Sequence, residues 1–164
     1  MSEPLDPHRR DWEELATLDP LWAIASRPDK RFGGWEHDEF FATGQRDLDA
    51  MLAPARERGL CAEQDAALDF GCGVGRMTRA MAACYGHVVG VDIAPTMIER
   101  AEQLNGDLDE VEFLVSCGND LRFLGERRFD LVFTHVVLQH QPGRVGGGRR
   151  TPRAPRVVAP SKVS

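Results

Sequence analysis

The stretch Leu68-Asp69-Phe70-Gly71-Cys72-Gly73-Val74-Gly75-Arg76 constrains the fold of this chain more than any other. A short apolar run, Ala66-Ala67-Leu68-Asp69-Phe70, leads into three glycines at alternate positions. A helical pattern leads out, from Arg76 to Tyr85, with Met77, Ala80, Met81 and Cys84 along one side. Glycine lets a backbone turn sharply and approach a ligand with no Cβ in the way. The helix behind such a loop aims free N–H groups at whatever lies there.

The strand–helix texture continues. Val88-Val89-Gly90-Val91-Asp92 reads as a second buried strand, and Thr96 to Leu104 as a helix with Met97, Ala101 and Leu104 in register. Val111 to Val115 reads as a third strand and Asp130-Leu131-Val132-Phe133 as a fourth. Continuous apolar strands alternating with helices indicate an α/β fold whose parallel sheet is covered on both faces.

The glycine spacing separates ligand classes. It is G-x-G-x-G, and Arg76 stands where the dinucleotide pattern G-x-G-x-x-G needs a glycine. Three acids follow three successive strands. Asp69 lies two residues before the first glycine, Asp92 ends the second strand, and Asp120 follows the third in Cys117-Gly118-Asn119-Asp120-Leu121. A ligand carrying an ammonium and a sulfonium, and no pyrophosphate, suits an acid beside the loop. Asp92 can accept from both ribose hydroxyls at the ligand edge of a doubly wound sheet. Asp120 can accept from an adenine amino group.

From Ala67 to Pro142 the chain resembles class I S-adenosylmethionine-dependent methyltransferases of the small-molecule branch. Asp69-Phe70-Gly71-Cys72-Gly73-Val74-Gly75 resembles their first motif, and Gly90-Val91-Asp92-Ile93-Ala94-Pro95 their second. Gly118-Asn119-Asp120-Leu121 resembles the adenine-side motif, Phe129-Asp130-Leu131-Val132-Phe133 the fourth-strand motif, and Val137-Leu138-Gln139-His140 the segment after it. The resemblance implies a doubly wound, Rossmann-like sheet and methyl transfer from S-adenosylmethionine to a small molecule. It implies a cofactor site built from Asp69, Gly71, Cys72, Gly73, Gly75, Asp92, Ile93, Asn119, Asp120, Leu121 and Thr134. The glycine loop would hold the methionine moiety, Asp92 the ribose and Asp120 the adenine, with Ile93 on the adenine face. His135 and His140 are the candidate general bases, although methyl transfer often needs little proton chemistry and a substrate-shaping role suits them better. Two other readings stand beside this one: a non-catalytic S-adenosylmethionine-binding module, and a nicotinamide-dependent oxidoreductase, which Arg76 and the acid after the third strand oppose.

The family sheet has seven strands in the order 3-2-1-4-5-7-6, of which this sequence supplies the first four. After Pro142 the pattern gives way to Gly, Arg, Pro, Val, Ala and Ser, so residues 143–164 are expected to be a disordered basic tail. The expectation is a C-terminally truncated or frame-shifted member, with the free edge of the fourth strand open to self-association.

Residues 1–60 are expected to be a helical lid and 61–142 the incomplete cofactor domain. Asp19-Pro20 is a helix start. A longer helix begins near His37-Asp38, with Phe41, Gly44, Leu48, Met51, Leu52 and Ala55 on one face. Pro54 should kink or end it, and Gly59 is a natural stop. Phe40, Phe41 and Gly44 are the picks for lid–cofactor contact. Trp12, Trp22 and Trp35 should anchor the N-terminal helices onto the sheet.

Charge narrows the partners. From 141 onward there are six basic and no acidic residues, so the 140 residues before hold 14 basic and 26 acidic groups, a net −12. An acidic body argues against nucleic acid. No stretch reaches the roughly 18 apolar residues of a membrane span, and the polar start lacks a secretory signal, so a cytoplasmic chain is expected. Cys61, Cys72, Cys84 and Cys117 form no C-x-x-C pair or zinc spacing, which favours reduced thiols and no metal.

Overall fold

The structure, a computed structural model, describes residues 6–60, 64–116 and 121–135. Among the described residues, five α-helices and four strands run in the order α1 (Asp6–Leu18), α2 (Pro20–Ile24), α3 (His37–Glu57), β1 (Ala66–Phe70), α4 (Arg76–Ala82), β2 (His87–Asp92), α5 (Pro95–Leu104), β3 (Val111–Val115) and β4 (Leu131–Phe133). The strands form one parallel sheet in the order β3-β2-β1-β4. The chain therefore winds outward from β1 to β3 and then returns to the other side of β1. That reversal is the topological switch point, where the C-terminal strand ends open a crevice.

The apolar strands pack both ways. On one face Ala67, Val88, Leu131 and Phe133 meet Met77, Ala80 and Met81 of α4 and Leu48 and Leu52 of α3. On the other, Leu68, Val89 and Val91 meet Leu124, with Phe70, Leu114 and Phe129 packed against them. The described segments covering this second face are the 3-10 turn Arg122–Leu124 and Phe129.

β4 is joined to the sheet at its entry. Asp130 accepts from the N–H groups of Asp65 (2.9 Å) and Ala66 (3.0 Å), and its own N–H donates to Ala66 at 2.8 Å. The other edge of β4 has no strand beside it among the described residues.

α3 differs from expectation at Pro54. The helix continues through it to Glu57. Pro54 and Ala50, the residue whose carbonyl loses its donor, both lie on the exposed face, so water can take the carbonyl. The helix stops where Gly59 adopts a left-handed φ of +68°. There the Leu60 N–H donates to Ala55 and the Gly59 N–H to Arg56, both at 2.9 Å, a Schellman stop. α4 is shorter than expected: it ends at Ala82, and a tight turn through Cys84 and Tyr85 closes back on the Met81 carbonyl.

The tryptophans correct a further expectation. Trp35 is buried, with Trp12 and Trp22 half-buried, in a cluster with Ala16, Phe40, Val74, Ala94 and Met97. They join the N-terminal helices to the glycine loop and the start of α5 rather than to the sheet. Each indole seen in detail satisfies its polar end locally: Trp22 donates to Arg27 (2.9 Å) and Trp35 to Ala25 (3.1 Å).

Candidate functional site

The glycine loop hangs from the end of β2. The N–H groups of Gly71 and Cys72 both donate to the Val91 carbonyl, at 2.7 and 3.0 Å, and the Gly75 N–H closes the turn onto Cys72 at 2.9 Å. Gly71, Gly73 and Gly75 have φ of +81°, +53° and +83°, the left-handed region that suits glycine.

The glycines serve different neighbours. A Cβ on Gly75 would lie 2.7 Å from Asn105 Nδ2 and 2.8 Å from Phe113 Cζ, so Gly75 is required by packing beneath the loop. A Cβ on Gly73 would lie 2.3 Å from Ile24 Cδ1, so a residue of α2 sits on that glycine. Cys72 points inward: its Sγ is 3.1 Å from where a Gly90 Cβ would stand, and its thiol is buried. Burial first, then Asp92 and Asp69, push that thiol well above its ordinary range. The Cys72 side chain is therefore committed to the interior.

The two described acids bracket this loop. Asp92 accepts from the Gly73 N–H at 2.9 Å and the Ala94 N–H at 3.0 Å. Burial raises its pKa, opposed by those N–H groups and that of Ile93, and Glu13 adds a further upward push. Asp69 is 2% exposed and accepts from Thr78 Oγ1 at 2.6 Å. Burial raises it to about 6; Thr78 and Arg76 oppose the rise and Asp92 adds to it. A cationic group beside this pair would relieve both the burial penalty and the mutual repulsion.

Strand register gathers the rest. Phe70 pairs with Val91, and Asp69 with Phe133, so the residues after β1, β2 and β4 meet at one edge. Ile93 is half-buried directly after Asp92. Thr134 lies just past β4, and its buried Oγ1 has no hydrogen-bond partner among the described residues. That orphaned hydroxyl beside the switch point fits a polar ligand. Leu121 is exposed and opens the turn before Leu124, whose N–H donates back to it. Asn119, Asp120 and His140 lie outside the described residues.

His135 faces a different group. Burial and then the Arg76 guanidinium hold its pKa below the ordinary value, and Asp47 opposes them. Arg76, 5% exposed, donates to Asp47 (2.6 Å) and Thr43 (3.1 Å) of α3. The sequence marked Arg76 only as a departure from the dinucleotide pattern; in the fold it ties α3 to the first turn of α4. Gly44 serves the same junction, since a Cβ there would lie 2.5 Å from the Arg76 carbonyl. Phe40 is fully buried, and Phe41 packs edge-on against it with Arg79 over its ring at 5.0 Å. The three lid picks are thus largely committed to packing.

Sequence reasoning also missed Glu13, whose carboxylate accepts from both the N–H (3.0 Å) and the hydroxyl of Thr96. One signal was available: Ala94-Pro95 opens α5 with no capping side chain, which leaves a helix end to be satisfied from elsewhere.

Residues 67–146 match the methyltransferase domain family. The parallel sheet order and the glycine loop agree with that match. The chain is 33% identical over 75 residues to phosphoethanolamine N-methyltransferase 3 of Arabidopsis thaliana, covering 44% of this chain and 15% of that protein. It is 33% identical over 78 residues to 2-methyl-6-phytyl-1,4-hydroquinone methyltransferase of Synechocystis sp., covering 47% and 24%. Among solved structures it resembles the N-methyltransferase NodS of Bradyrhizobium japonicum in complex with S-adenosyl-L-homocysteine, at 20% identity and a TM-score of 0.52 over 77% of this chain and 55% of that one, which supports the fold. The chain spans 15% to 25% of the length of the curated relatives it matches.

Proposed function

We propose that this chain binds S-adenosylmethionine at the β1–β4 switch point and serves methyl transfer to a small-molecule acceptor. The observation that carries the reading is the acid pair Asp69 and Asp92 on either side of a left-handed glycine loop. S-Adenosylmethionine supplies an activated methyl group on a sulfonium, and the family uses it as cofactor. In this reading the backbone of Gly71, Cys72 and Gly73 borders the methionine moiety, and Asp92 takes the ribose. Asp69 remains a buried negative charge behind the loop, and Thr134 offers a hydroxyl from β4. Gly75 acts from beneath. The motif resemblance adds Asn119, Asp120 and Leu121 at the adenine and Ile93 on its face. His140 is the remaining candidate base, and His135, whose pKa burial and Arg76 hold below the ordinary value, shapes the α3–α4 side.

No described helix is long and apolar enough to cross a membrane. With the free thiols of Cys72 and Cys84, this suits a cytoplasmic chain. The edge of β4 that has no strand beside it among the described residues suits pairing with another polypeptide. A thermal-shift titration tests the cofactor assignment. S-Adenosylhomocysteine should raise the melting temperature saturably while NAD leaves it unchanged; a response to NAD alone would replace this reading with the oxidoreductase one.

A further inference from the structure

The N-terminal segment touches the cofactor edge at two points. The first is the start of α5, three residues past Asp92. Its cap position, Ala94, has no side-chain acceptor, its first turn holds no acid, and Pro95 has no N–H. The Thr96 N–H and hydroxyl are both taken by Glu13, 83 residues earlier in the chain. The second point is Gly73, whose open Cα face lies against Ile24 Cδ1.

Glu13 and Ile24 belong to one braced unit. Asp19 joins α1 to α2 by accepting from the Trp22 N–H at 3.2 Å, and it reaches on to the Gly33 N–H at 3.1 Å. The Asp19 N–H donates to Leu15 at 3.0 Å, so the turn between the helices is itself closed. Ala16, Leu21, Trp22 and Ile24 share an apolar cluster with Val74 of the loop and with Ala94 and Met97 of α5. The Glu13 carboxylate is a polar link from this unit to α5.

We propose that Glu13 is a positioning residue of the cofactor site: by capping α5 from α1 it seats Ile24 on Gly73, and the N-terminal segment thereby forms one wall of the site and strengthens cofactor binding. The inference rests on the cofactor reading above and names the chain's own groups that complete it. Glu13 acts through Thr96 and Ile24, whereas Asp92 would meet the ligand itself.

The test combines calorimetric titration with S-adenosylhomocysteine and hydrogen exchange, on the parent, E13A, E13Q, I24A and the E13A/I24A double variant. E13A should raise Kd by on the order of tenfold, the loss of one charge-assisted cap. I24A should raise it less, and the double variant should match E13A, because seating Ile24 is how Glu13 acts. E13Q keeps one acceptor for Thr96 and should recover part of the affinity. In the cofactor-free chain, E13A should speed exchange of the amides from 12 to 24. A parent-like Kd in E13A or E13Q, or losses from E13A and I24A that multiply, would overturn the role of Glu13 while leaving the cofactor assignment standing. A folded parent that fails to bind would overturn the cofactor assignment and this inference with it. If E13A does not fold, E13Q and I24A carry the comparison: a parent-like Kd in either refutes the inference, and weakened binding in both supports it.

Discussion

Replacing Asp69 by Asn should remove a specific part of the chain's pH-dependent stability. Asp69 is 2% exposed and its pKa is raised to about 6, with burial the largest cause. In the unfolded chain an aspartate titrates near 3.9. The folded state therefore binds the proton more tightly, so stability from this group is greatest below the unfolded value and is lost as pH rises through about 6. Linkage from these two values gives about 1 kcal/mol more stability at pH 5 than at pH 7. With a urea slope of roughly 1–3 kcal/mol per molar, the midpoint should be higher at pH 5 than at pH 7 by roughly 0.3–1 M. The assay is urea unfolding at pH 5, 6 and 7 for the parent and D69N, scored as the difference between them. Asp92 titrates in both chains, and because it couples to Asp69 the difference reports the pair. A parent–D69N difference that is constant across pH 5 to 7 would refute the reasoning, since it would mean that the buried carboxyl does not hold its proton more tightly on folding.

Other expectations follow from single contacts. G75A should cost roughly 2–5 kcal/mol in thermal or chemical unfolding, because it combines a left-handed φ with a close approach to Phe113 and Asn105; a loss below about 0.5 kcal/mol, the scale of a surface change, would show that the loop can rotate away. D47A should destabilise by about 1–3 kcal/mol by leaving the buried Arg76 guanidinium short of a partner, and R76M should cost less. The reverse order in melting experiments would mean that the pair is worth more than its burial costs. Cys72 should resist alkylation in the native chain and react only on unfolding, whereas labelling mapped to Cys72 at the native rate of an exposed thiol would contradict its inward placement.

How much was legible depends on whether the cause is local in sequence. β1 and β3 fall on the expected residues, because four or five apolar residues bounded by turns leave little choice. β2 and α5 each begin one residue earlier than expected, at His87 and Pro95. The left-handed glycines were readable because only backbone freedom is at stake. What lies against each glycine was not: Ile24 on Gly73 and Phe113 beneath Gly75 come from 49 and 38 residues away along the chain. Asp69 shows the same division. Its charge beside the loop was visible, but its commitment to Thr78 depends on how α4 packs on β1. Pro54 misled because its effect hinges on facing water, which periodicity alone did not settle. Glu13 left only an indirect trace, the uncapped start of α5.

The central claim is that the edge formed by the glycine loop and Asp92 holds the adenosine-bearing cofactor. Calorimetric titration of S-adenosylhomocysteine into the parent and into D92N tests it most directly. Asn at this position keeps one oxygen to accept from Gly73 or Ala94 but loses the charge and one acceptor. The expected result is saturable one-to-one binding by the parent and at least a tenfold weaker Kd for a D92N chain whose circular dichroism matches the parent, on the scale of one charge-assisted hydrogen bond. Equal affinity in the two folded chains, or no binding by a folded parent, would contradict it.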